Sequence, residues 1–302
     1  MTRYSPPGLL TPPREDEDIY PYSRVWPVIL VLVGLLFGLS ASLLVAYSFI
    51  GLRFSPLLTR PINVIIALLP LLIWLGAAWL RDRSVPRPRE RLLAVCIISA
   101  LVANAVTLPF IEDTLKPAEW LSLASLIDRI IGYTLTVGML QEGAKYMVLR
   151  VLVWPDYLRN RYDMLAYGLA SSVGYATVFG LRAATGEAIS PDIFAGQIFF
   201  IVSLHISANG IVSYGLSELH FNPQSLILLP VTLLLASSII GLALTLRANF
   251  LNSGFALGIA TPNLLLGLLF SLAITVTLIA ILGFIYNTAE RRQQEAYTVE
   301  EV

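Results

Sequence analysis

The sequence predicts an all-α, polytopic transmembrane helix bundle of about eight spans, with both termini cytoplasmic. Three observations carry that prediction. Eight apolar stretches occupy most of the chain, each meeting or approaching the ~20 residues that a hydrocarbon core requires. Of 302 residues, 56% are hydrophobic and only 13% charged, against roughly 25% charged in a soluble domain. Mean hydropathy is +0.74, and the basic residues are shared unevenly between the two faces that the spans define.

The first span covers 25–50. It follows a Pro-rich tail, 1–24, whose acidic cluster Glu15-Asp16-Glu17-Asp18 cannot bury a core, so disorder is expected there. The apolar run exceeds the roughly 7–15 residues of a signal-peptide core and reads as a retained anchor. Further spans are expected at 62–80, 91–111, 125–154, 163–182, 193–218, 225–247 and 263–286. The fourth opens with Asp128 and Arg129 and is expected to emerge from an interfacial segment around Trp120, because tryptophan favours the headgroup zone. A transmembrane domain thus covers 25–286, and a polar cytoplasmic tail follows at 287–302.

Orientation comes from the basic residues. With the N-terminus inside, the cytoplasmic side holds Arg3, Arg14, Arg24, Arg81, Arg83, Arg87, Arg89, Arg91, Arg150, Arg159, Arg161, Arg291 and Arg292. The other side holds Arg53, Arg60, Lys116, Arg129, Arg182 and Arg247. Thirteen against six places both termini inside a cytoplasmic (inner) membrane. The Arg81–Arg91 loop dominates this bias and is read as a topology signal, with headgroup binding the lesser alternative.

Composition also excludes. A net charge of +0 removes the argument for a nucleic-acid partner, and the single Cys96 rules out an intramolecular disulfide or a multi-thiolate metal site. No inverted repeat of the transporter kind is present.

The polar residues inside the spans are few. Glu142 and Lys145, in Gln141-Glu142-Gly143-Ala144-Lys145, share one helix face at a spacing of three. They suit either a carboxylate facing a wet cavity or an ion pair that seals the bundle. His205, Asn209 and Ser213 form a stripe that must face protein or water, as a site or as hydrogen-bonded glue. Gly168, Ser172, Ala176 and Gly180, with Ala166, Ala170 and Gly174 beside them, let neighbours approach closely, which puts the fifth span at the centre. Asp163 is expected to cap that span. Glu218 and His220 are expected to be solvated, and Arg182 and Glu187 to flank an external loop.

Read in order, these residues resemble the PrsW family of intramembrane proteases, which is related to the CAAX-processing (Abi) proteases and to the scaffold subunit of γ-secretase. The likeness covers about 135–245, within a PrsW-like core of about 121–247. It rests on Gln141-Glu142-Gly143-Ala144-Lys145 against Glu-Glu-x-x-Lys, on Tyr162-Asp163, Tyr167-Gly168 and Gly174-Tyr175-Ala176-Thr177, and on His205. The departures fall on the chemistry that the resemblance implies. Gln141 replaces the leading glutamate, Phe179-Gly180 replaces Glu-Asn, and Ala236 stands about where a second histidine is expected. Glutamine cannot take a proton from water, and general-base catalysis is worth typically 10²–10⁴-fold. A catalytic zinc needs three protein ligands, of which Glu142 and His205 supply two at most.

The resemblance therefore implies a pseudoprotease that binds a transmembrane helix or serves as a subunit of a larger membrane complex, in contact with membrane lipids and with no cofactor. An active protease is the alternative: Glu142 activates water, His205 orients it, Lys145 keeps Glu142 ionised, and zinc enters only on this reading. A small-solute or lipid transporter is the third.

Overall fold

The computed structural model describes residues 25–84, 88–186, 189–222, 226–247 and 264–300. The 1–24 tail, Arg87, Glu187 and Arg247-to-Leu264 connector (248–263) lie outside them, as do residues 301–302. Among the described residues every regular element is helical. Seven helices are long and apolar enough to cross a membrane. They are α1 (Val25–Ile50), α2 (Pro56–Arg83), α3 (Leu92–Leu115), α6 (Arg161–Thr185), α7 (Pro191–Phe221), α8 (Leu228–Arg247) and α9 (Leu264–Glu300). Between α3 and α6 lie the short α4 (Pro117–Leu121) and the helix α5 (126–152).

The expected fourth span differs from the others in kind. Gln141, Glu142 and Lys145 dilute the apolarity of α5, and it is not one of the seven. Its ends nevertheless reach opposite ends of the bundle. It leaves from the α3–α4 turn, where exposed Trp120 donates its indole N–H to the Leu115 carbonyl. It finishes where Arg91, just before α3, donates to the Leu152 carbonyl. A helix this polar depends on its protein neighbours, which satisfy the side chains that lipid would not.

While α8 packs along its length, the neighbours that face its polar side chains are α6 and α7. In each, 83% of the apolar window is buried, against 39% or less in the other five candidate spans. The small-residue stripe explains how α6 reaches the centre. A Cβ on Gly168 would overlap Ser213 Oγ of α7, one on Gly174 would overlap the Cys96 carbonyl of α3, and one on Gly180 would press on Ala67 of α2 and Ile198 of α7. Three neighbours therefore sit against one helix at near-backbone distance. Gly174→Ala should lower the unfolding free energy by about 1–3 kcal/mol, the usual cost of overpacking. Gly34→Ala, where a Cβ meets nothing within 4 Å, should leave the melting temperature of the detergent-solubilised protein unchanged or raised.

Two expectations about span ends are corrected. Asp163 is not the cap: Asn160 is, its Oδ1 accepting the Asp163 N–H at 2.9 Å. The Asp163 carboxylate instead lies wholly buried, taking Arg89 Nε at 2.7 Å and Arg159 Nε at 3.2 Å. Arg89 also reaches Asp82 at 2.9 Å, so this part of the arginine loop is a structural ion network rather than a topology signal alone. Glu218 is buried rather than solvated. It accepts Arg161 Nε at 2.6 Å because the start of α6 lies beside the end of α7. His220 is half-buried, its ring edge-on to Trp154 and Phe221. At the opposite end, Arg182 of α6 ties to Glu112 of α3 at 2.6 Å.

Candidate functional site

The site is built where α5 passes α6 and α7. A π-helical turn at Thr134–Gly138 precedes Met139–Leu152, and α8 presses on it so closely that a Cβ on Gly138 would overlap the Ser237 carbonyl. A second π-helical turn, Ala103–Thr107, faces the same region from α3. Such insertions re-aim the side chains beyond them. Here they accompany α5 as it turns Glu142 and Lys145 inward.

Lys145 Nζ lies 2.5 Å from Glu142 Oε1, and both side chains are 0% exposed. On its other side Nζ meets His205 Nδ1 of α7 at 3.2 Å. An ammonium has no lone pair to offer, so Nδ1 accepts and the imidazole proton sits on Nε2. Nζ also faces the Tyr175 ring of α6, 5.4 Å from its centroid. The His205 ring rests against Tyr175 at 5.5 Å and Phe179 at 5.4 Å, and these two stack on each other at 5.8 Å. The structure thus brings Glu142, Lys145 and His205 together, with lysine between acid and imidazole. Glu142 Oε2 has no hydrogen-bond partner among the described residues.

The remainder of the polar stripe serves packing. Asn209 Nδ2 donates to the Gly168 carbonyl at 2.8 Å, and Ser172 Oγ donates to the His205 carbonyl at 2.9 Å. These bonds fix α7 against α6 and hold the His205 backbone in place.

Beside the cluster is an open cavity of about 340 Å³ whose wall includes Gln141, Val137, Leu108 and Phe179, and whose rim carries Glu112 and Lys116. Gln141 faces this cavity while Glu142 is enclosed behind it. Phe179 touches both cavity and imidazole, so it separates His205 from the open space. Ala236 is fully buried in an apolar cluster with Val137, Ala208 and Val212 and presents nothing polar to the site. One contributor was missed in the sequence: Tyr175, read only as framework. A lone aromatic in an apolar run carries no signal of its own.

Glu142 Oε1 and His205 Nδ1 both contact the Lys145 ammonium, so a dication held by these two atoms would sit against a positive charge. Among the described residues no three His, Cys, Asp or Glu side chains converge.

Fold and site together define a helical protein with, among the described residues, seven helices long and apolar enough to cross a membrane and a buried acid–lysine–imidazole cluster. Compared with protein-family models, with curated proteins and with solved structures, the chain gives no significant match in any of the three.

Proposed function

We propose that this chain is a PrsW-like protein whose proteolytic centre is degenerate, and that it works by holding a transmembrane helix or as a subunit of a membrane complex. One observation carries the reading. The carboxylate that could activate water is tied to Lys145 at 2.5 Å with both groups fully enclosed, while the cavity wall offers the amide of Gln141 instead. An amide cannot act as general base, and an ion pair with no exposed surface is closed to bulk water. What the cluster does supply is a polar clamp joining α5, α6 and α7. On this reading α5 crosses with the seven apolar helices, and both termini lie on the cytoplasmic side of an inner membrane.

The unpartnered Glu142 Oε2 favours one alternative, an active protease in which that oxygen takes a proton from water and His205 steadies it. Co-expression with tagged single-span reporters separates the two. The wild type and Glu142→Gln should give the same fragment pattern, and purification in mild detergent should recover a stoichiometric membrane partner. Fragments that disappear in Glu142→Gln, or recovery of the bare chain, would overturn the proposal.

A further inference from the structure

We propose that the cleft between α1, α2, α3 and α6, at the end of the bundle that carries Arg89, holds an anionic phospholipid with its phosphate at Arg81 and an acyl chain in the slot. The cleft measures about 440 Å³, within the roughly 300–1,000 Å³ of ligand pockets. Its body is apolar, walled by Val28, Val31, Ala77, Ala78 and Leu169, with Trp74 fully buried among them. Its polar residues, Arg81, Asp82, Ser84 and Arg89, gather at the mouth.

The charges at that mouth do not cancel. Arg89 and Arg159 are matched by Asp82 and Asp163. Arg81 is exposed and has no carboxylate partner among the described residues. Two residues on, Arg83 lies over the Trp79 ring at 4.9 Å, outside the cleft. An apolar slot two turns deep, opening beside an unmatched arginine, complements an amphiphile with an anionic head. Basic pockets between spans bind acidic headgroups in this way. The acidic cluster Glu15-Asp16-Glu17-Asp18 carries the same sign of charge and is the competing occupant.

The full chain, purified in mild detergent, is titrated with phosphatidylglycerol and with phosphatidylcholine of the same acyl chains, and retention is read by native mass spectrometry. Phosphatidylglycerol should be retained preferentially, glycerol phosphate should not compete with it, and Arg81→Gln should cut the preference about fivefold. Ala78→Phe, which fills the slot, should abolish retention of either lipid. Arg81→Gln changes an exposed side chain, so it keeps the test decisive even where Ala78→Phe prevents folding. Equal retention of the two lipids, an unaltered preference in Arg81→Gln, or full competition by glycerol phosphate would overturn the assignment. So would phosphatidylglycerol uptake seen only after removal of residues 1–24, which would make the tail the occupant.

Discussion

Lys145→Met is expected to be among the most damaging single substitutions in this chain, costing about 3–5 kcal/mol. It removes the cation paired with Glu142, whose other oxygen has no partner among the described residues, and leaves a carboxylate enclosed by protein. Glu142→Leu strands the ammonium instead, leaving it the contact with His205 Nδ1, and should cost a similar amount. The double variant Glu142→Leu/Lys145→Met buries no charge. It should recover most of the loss, because replacing a whole buried pair by apolar groups is often neutral or better. Unfolding titrations of the three variants in mixed micelles form a double-mutant cycle. Two single losses that simply add would show that the pair is not the unit that holds α5 in place.

Asp163→Asn is expected to be comparably severe, again about 3–5 kcal/mol. The side chain is 0% exposed and receives Arg89 from the loop before α3 and Arg159 from the loop before α6. Neutralising it takes from buried Arg89 one of its two described carboxylates and unfastens two connections at one end of the bundle. Arg159→Gln is the informative contrast. Its side chain is one-third exposed, water screens it, and its loss should cost less than about 1 kcal/mol. Melting temperatures in one detergent rank the two. Equal losses would mean that the Arg89 limb contributes no more than the surface limb.

Both predictions rest on ion pairs that differ in how far the sequence reveals them. Glu142 and Lys145 are three residues apart on one helix, so their meeting follows from helical geometry alone. Arg89 and Asp163 are separated by 74 residues, and nothing local links an arginine in a basic loop to an acid at a helix start. For the same reason Glu218 was expected to be in water: its partner Arg161 is 57 residues away. The small-residue stripe was legible as a close-packing surface, but not that its glycines face three different helices. Of the site, the acid, the lysine and the histidine could each be singled out by the cost of polar groups in lipid. Their order in space could not, nor could the position of Phe179 between imidazole and cavity, since an aromatic among aliphatics looks like any core residue.

The elements follow from the chain's chemistry: long apolar runs can satisfy their backbone in hydrocarbon only as helices, and every regular element among the described residues is helical. Tertiary packing decided which charges meet, because each buried ion must find its counter-ion among helices far apart in sequence. Packing also set Lys145 between Glu142 of its own helix and His205 of another, an order in space that no local pattern encodes.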